Sequence, residues 1–138
     1  MLVDDDDVTL MICKMRLKKS NFCEEVITAE NGEEAISYFE RQLGLPENQR
    51  ELPEIIFLDI NMPIMNGWEF LAEFEKNYVP KLKHIKISIL SSSVDPNDEL
   101  LATEHPMIIG FITKPLTNEI LQELKESASF KEFYPQYN

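Results

Sequence analysis

Apolar residues fall along this chain in short blocks, each ending on a polar residue or a turn signal. Met1-Leu2-Val3 stops at Asp4-Asp5-Asp6-Asp7, which predicts a short strand and then an acidic loop that opens a helix. A strand is usually about 5–6 residues long, so this one is either short or continued by residues ahead of Met1. Val8, Met11, Ile12, Met15 and Leu17 recur at helical spacing and predict the inward stripe of the first helix. Lys14, Arg16, Lys18 and Lys19 take the other face and favour its C-terminal end, and Asp6 or Asp7 caps its start. Ser20-Asn21 breaks the helix, and residues 25–29 read as a second strand.

Asn31-Gly32-Glu33-Glu34 opens a second helix with Ala35, Ile36, Phe39 and Leu43 as its stripe. Residues 44–51, containing Pro46, form a surface loop or a short helical extension. The next apolar run, Ile55-Ile56-Phe57-Leu58, is a third strand that ends on one carboxylate, Asp59. Pro63 and Asn66-Gly67 mark the following loop. Gly67 starts a third helix whose apolar positions are Trp68, Phe70, Leu71, Phe74 and Tyr78. Residues 85–90 are a fourth strand, more alternating than one covered on both faces should be, with Lys86 near its start reaching toward solvent. Asp95-Pro96-Asn97-Asp98 caps a short fourth helix that runs to about Thr103. Residues 107–112 are a fifth strand, followed by Lys114-Pro115. Thr117 opens a fifth helix with Ile120, Leu121 and Leu124 inward. Residues 1–127 form the domain, and 128–138 a C-terminal tail containing aromatic residues.

Five strand–helix repeats imply an α/β protein whose parallel sheet has helices on both faces. Right-handed crossovers then favour a doubly wound, three-layer (βα)5 sandwich. Strand order 2-1-3-4-5 is one of the two common choices. It sets the carboxyl ends of the first and third strands side by side, and with them Asp4-Asp5 and Asp59.

Composition narrows the functions. The chain has 138 residues, one domain's worth, and 43% hydrophobic content, enough for one core. Its formal net charge is -12. Phosphate backbones are bound by Lys and Arg, so direct DNA binding is disfavoured, as is an anionic membrane. Cys13 and Cys23 form no C-x-x-C pair and read as reduced thiols. No apolar stretch approaches the roughly 20 residues that span a bilayer, and no signal peptide is visible. A cytoplasmic location is expected.

Four strands end on chemistry: Asp4-Asp5, Asp59, Ser91 and Thr113-Lys114. Parallel strands place all four ends on one edge of the sheet. Two carboxylates about 5 Å apart repel by about 3 kcal/mol at an effective dielectric near 20. Lys114 offsets part of that, and a hard divalent cation offsets more. Oxygen-only ligands suit Mg²⁺, which commonly shares its shell with substrate phosphate. Carboxylates, a lysine and a hydroxyl, with no His or Cys, describe a phosphoryl-transfer site. Asp serves as a covalent acceptor in such chemistry.

The residues that carry this site, in this order, resemble the receiver domain of two-component response regulators, in the manner of stand-alone chemotaxis receivers. The resemblance rests on Asp4-Asp5, on Asp59 followed by Met62-Pro63 and Gly67, on Ser91, on Phe111 and on Lys114-Pro115. It spans essentially the whole chain and implies a flavodoxin-like sandwich. It implies that Asp59 takes a phosphoryl group from a sensor histidine kinase or a histidine phosphotransfer protein. Mg²⁺ or Mn²⁺ would be held by Asp5, Asp59 and the backbone carbonyl of Asn61, with Asp4 acting through water. Lys114 would pair with the carboxylate and then the phosphoryl oxygens, Ser91 would bond the phosphoryl group, and Phe111 would turn inward as Ser91 moves. The Lys114–Pro115 peptide is expected to be cis, an isomer accessible mainly before proline. Such a chain is not an enzyme beyond its own phosphorylation and dephosphorylation. It passes its state to an unknown downstream protein, and the 95–127 face is the expected output surface and phosphorylation-dependent dimer contact. A first strand longer by one residue would move the metal roles to Asp5 and Asp6.

Rival readings are weaker. A relay intermediate would hand the phosphoryl group on to a histidine phosphotransfer protein. A haloacid-dehalogenase-type phosphatase needs an acid two residues after its nucleophile, where this chain has Asn61. A flavodoxin-type flavin site needs a hydroxyl- and glycine-rich first loop, where this chain has four aspartates.

Overall fold

The computed structural model describes residues 1–137, Tyr137 by its backbone alone. Asn138, the last residue of the expected tail, lies outside the described residues. The elements are β1 (Leu2–Val3), α1 (Asp7–Lys19), β2 (Thr28–Ala29), α2 (Gly32–Leu43), β3 (Ile55–Leu58), α3 (Gly67–Asn77), β4 (Lys86–Ser91), α4 (Pro96–Glu104), β5 (Ile108–Thr113) and α5 (Asn118–Glu126). One-turn 3₁₀ helices occupy Glu47–Gln49 and Pro135–Tyr137. The five strands pair in parallel in the order β2-β1-β3-β4-β5. The doubly wound α/β architecture expected from the strand–helix alternation is the one observed.

Each helix starts where the sequence supplies a capping side chain. Asp6, Asn31, Asn66, Asp95 and Thr117 each accept hydrogen bonds from backbone N–H groups of the first turn. Asn66 and Glu69 complete a reciprocal capping box. The caps hold the strand-to-helix loops on one edge of the sheet, and that edge carries the site.

Two apolar layers cover the sheet. Phe39, Phe70 and Phe74 pack with Leu58, Ile87 and Ile89 on the face covered by α2, α3 and α4. Leu10, Cys13 and Leu17 of α1 pack with Phe57, Leu90 and Leu121 on the other face. Phe130 and Tyr134, beyond α5, are buried in this second layer, and the Tyr134 hydroxyl donates to the Phe22 carbonyl. Both cysteines are free, and burial pushes their thiols up, away from the reactive thiolate.

Three elements depart from the sequence reading. The inward stripe of α1 is Leu10, Cys13 and Leu17, whereas Val8, Met11 and Met15 are 57%, 65% and 48% exposed and Ile12 is half-buried. The helix carries apolar residues on two faces, so periodicity alone does not fix which one turns inward. The short link from Val3 to the Asp6 cap sets the rotation. The second strand is Thr28–Ala29 rather than 25–29, because β1, its only neighbour, pairs with just those two residues. Lys86 does not simply reach solvent. Its ammonium donates to the Ser129 carbonyl at 2.6 Å and pairs with Glu132 at 3.1 Å. Opposite β4, the register skips Ile109, so that Ser88 faces Gly110. This bulge sets a residue without Cβ against the buried Ser88.

The rotation of α1 is open to test by urea unfolding. Leu17→Ala is expected to cost about 2–5 kcal/mol through the cavity it leaves. Met15→Ala, on the exposed face, is expected to stay within about 0.5 kcal/mol of the parent.

Candidate functional site

The site forms where β1, β3, β4 and β5 end. Asp59 N–H donates to the Val3 carbonyl at 2.9 Å, which brings the ends of β3 and β1 together. Lys114 N–H donates to the Ser91 carbonyl at 2.9 Å and joins β5 to β4 in the same way. Asp4 and Asp59 are each only 5% exposed, whereas Asp5 lies at the surface. One carboxylate oxygen from each of Asp4, Asp5 and Asp59 lies within 4.8 Å of the others. Asp6 points away: its carboxylate accepts from the Val8 N–H at 3.0 Å and from the Thr9 hydroxyl at 3.1 Å. These bonds, that from the Thr9 hydroxyl first, hold its pKa below the ordinary carboxylate value. The acidic pair at the site is therefore Asp4-Asp5.

Lys114 closes the cluster. Its ammonium lies 2.5 Å from Asp4 Oδ2 and 3.4 Å from Asp59 Oδ2. The shorter contact goes to Asp4 rather than to Asp59. Asp59 Oδ1 accepts from the Ile60 N–H at 2.8 Å. Burial and the adjacent Asp4 charge push the Asp59 carboxyl above its usual value, and Lys114 pulls back only part of the way. Burial acts to lower the Lys114 ammonium, but its hydrogen bond to Asp4 and the charge of Asp59 outweigh that, so its net shift is upward. The carboxylates are under-neutralised by one lysine, and the Asp59 carboxylate is the more basic for it.

The loop after Asp59 is held close to it. Gly67 N–H donates to the Ile60 carbonyl at 2.8 Å, and a Cβ at position 67 would collide with the Asp59 carbonyl oxygen. Only glycine permits that approach. Asn61 is exposed on this loop, and Ile64 takes φ 69 there, a strained conformation for a β-branched residue. Arg16 donates to the Leu116 carbonyl at 2.9 Å and ties the cis Lys114–Pro115 turn to α1.

Ser91 is fully buried at the end of β4, and its hydroxyl accepts from the Ser93 N–H at 3.1 Å. Phe111 is half-buried and packs against the layer beneath α2, α3 and α4. The sequence reading did not single out Asp98, which anchors the loop that follows Ser91. Its two oxygens accept from the Ser93 hydroxyl at 2.6 Å and from the Trp68 indole N–H at 3.3 Å. That triangle joins α3, α4 and the β4–α4 loop. Residues 30 positions apart carry no local signal of it.

The Asp4–Asp5–Asp59 oxygens suit a hard divalent cation. All are oxygen donors, and a single ammonium faces three carboxylates.

Comparison with known proteins agrees with this geometry. The family described as response regulator receiver domain matches residues 1–126. Response regulator Rcp1 of Synechocystis sp. is 33% identical over 114 residues, covering 83% of this chain and 74% of its own. The crystal structure of a two-component response regulator from Cytophaga hutchinsonii superimposes with a TM-score of 0.78 at 30% identity, covering 88% of this chain and 89% of that one. The Mn²⁺-bound form of response regulator Rcp1 gives 0.71 at 27% identity, covering 91% and 89%. With a matching family profile, fold and strand-end carboxylate cluster, this chain belongs to the response regulator receiver domains of two-component signalling.

Proposed function

We propose that Asp59 accepts a phosphoryl group from a phosphohistidine on a sensor histidine kinase and that the modified domain acts through protein contacts. The observation that carries this reading is the partly neutralised cluster in which the buried Asp59 carboxylate sits beside Asp4, Asp5 and Lys114. An Asp59 carboxylate oxygen forms the new bond to phosphorus. The phosphorus–nitrogen bond breaks, and its electron pair stays on the departing imidazole. Asp5 and Asp59, with the Asn61 backbone carbonyl and with Asp4 through water, would hold Mg²⁺ or Mn²⁺. When bound, the ion supplies positive charge against the phosphoryl oxygens. The Mn²⁺-bound relative supports this assignment.

Lys114 is placed to exchange its carboxylate contacts for the new phosphoryl oxygens. Ser91, buried at the end of β4, is the hydroxyl that would bond the phosphoryl group, and Phe111 the aromatic that would fill the space Ser91 vacates. Added phosphate charge thereby becomes a shift in the loop after β4. The 95–127 face would be the contact surface for a target or a second receiver, a reading supported by Leu100 and Leu101, 56% and 49% exposed on α4. No described helix is long and apolar enough to cross a membrane.

Two outcomes are expected. Incubated with acetyl phosphate and Mg²⁺, the protein gains a base-labile phosphoryl mass, and Asp59→Asn abolishes the gain. Equal labelling of the variant would refute the assignment. The second outcome concerns stability. The Asp59 pKa is raised by folding, so its charged form opposes folding. That penalty is absent below the unfolded carboxyl pKa of about 3.9 and is complete once pH has risen through the folded value. Without metal, Asp59→Asn is therefore expected to melt at a higher temperature than the parent at neutral pH. The gain should shrink as pH falls into the carboxylate range and should be reduced by Mg²⁺. A variant less stable than the parent under metal-free neutral conditions would show that Lys114 already balances the cluster.

A further inference from the structure

Helix α1 carries an apolar stripe that packs into neither layer of the core. Val8, Met11 and Met15 are all exposed. At 3.6 residues per turn they lie on the side of the helix opposite Leu10, Cys13 and Leu17, and so face away from the sheet. Their spacing, i, i+3 and i+7, is that of a seam between two paired helices. Single exposed apolar residues are ordinary, but a contiguous row of them marks a contact surface.

Charge is divided along the same helix. Its start is acidic, Asp5-Asp6-Asp7, and its last turn is basic, with Lys18 and Lys19 on either side of the stripe. A rise of 1.5 Å per residue sets Asp7 and Lys18 about 16 Å apart. Neither end is satisfied within the chain. Among the described residues, Lys18 and Lys19 enter no ion pair. At the acidic end Asp7 meets another acid. Its charge first, and its hydrogen bond second, push the exposed Glu30 carboxyl above the ordinary value.

The stripe and the charges share one midpoint, near Met11-Ile12. A second α1 laid antiparallel across that midpoint sets Val8 against Met15 and Met11 beside the other Met11. It also sets the basic end of each copy against the acidic end of the other. A parallel arrangement would set like charge on like. The formal net charge of -12 opposes close approach of two copies. Screening over about 8 Å at physiological ionic strength weakens the distant charges and leaves those at the contact to fix the orientation. The face thus displays the chemistry it requires of a partner, which is the condition for a self-complementary two-fold contact.

We propose that two copies of this chain pair through antiparallel α1 helices, with Val8, Met11 and Met15 at the seam and Lys18 and Lys19 of each copy against Asp7 and Glu30 of the other. The contact is separate from the 95–127 face and does not rest on the phosphoryl reading.

Sedimentation equilibrium of the full chain, without metal or phosphodonor, tests it. A reversible monomer–dimer equilibrium is expected between micromolar and millimolar concentrations, because a contact of one helix per copy belongs to the small class of interface. Met11→Lys, which brings like charges together at the seam, should weaken the dimer by about tenfold or more. A second arm reverses one charged end at a time. Lys18→Glu with Lys19→Glu makes both ends acidic, and Asp7→Lys with Glu30→Lys makes both basic. Each double variant alone should lose the dimer while keeping the circular dichroism of the parent, and an equimolar mixture of the two should regain it. Asp59→Asn should dimerise as the parent does, so failure of one reading does not touch the other. A parent that stays monomeric throughout, a Met11→Lys dimer as tight as the parent's, or a mixture no tighter than either variant alone overturns the proposal. Loss of the dimer in a Leu100→Lys, Leu101→Lys variant assigns the contact to the 95–127 face and overturns it. A monomeric parent in which Met11→Lys slows phosphotransfer from a histidine kinase assigns the stripe to the kinase and also overturns it.

Discussion

The Lys114 ammonium, 2.5 Å from Asp4 and 3.4 Å from Asp59, is the interaction on which the functional edge depends. Removing a charge from water without a partner is costly, and two carboxylates here are almost completely buried. One ammonium makes that burial tolerable without cancelling it. The remaining imbalance leaves Asp59 with a raised pKa and leaves the cluster with a demand for further positive charge. A fully neutralised site would be more stable and less able to respond. Electrostatic tension of this kind couples one modified carboxylate to the loops that hold it.

Those loops are held from several directions. Ser91 and Lys114 are joined through the backbone, Arg16 grips the turn after the cis peptide, and Asp98 binds both Ser93 and Trp68. A change at Asp59 can therefore reach α4 along a short path of hydrogen bonds. At the other end of the sheet the arrangement differs. Phe22, Phe57, Phe130 and Tyr134 pack together around the lead-in to the second strand. The two ends of one sheet thus carry chemistry of opposite kinds: a dense charged cluster with its lysine, and a cluster of packed aromatic rings.

Much of this was legible from residue order. Asp59 was visible as a lone carboxylate closing an apolar run. Asn66-Gly67 marked the loop's end and the start of the next helix. The first helix was misread because Val8, Met11 and Met15 offer as good a helical stripe as Leu10, Cys13 and Leu17. The pattern holds two solutions, and the packing of Leu10, Cys13 and Leu17 against Phe57, Leu90 and Leu121 is the one realised. Asp98 was missed because its partners, Trp68 and Ser93, come from different elements. The preference of Lys114 for Asp4 over Asp59 was likewise a matter of distances between strand ends.

Sequence by itself determined the alternation of elements, the caps that start every helix, and the set of strand-end side chains. Each of these follows from local periodicity or from a side chain bonding its own neighbourhood. Tertiary structure decided which face of α1 turns inward and which aspartates meet the lysine. These depend on the separation of residues far apart in the chain. That separation is set by packing the two apolar layers against one twisted sheet, and no local pattern encodes it.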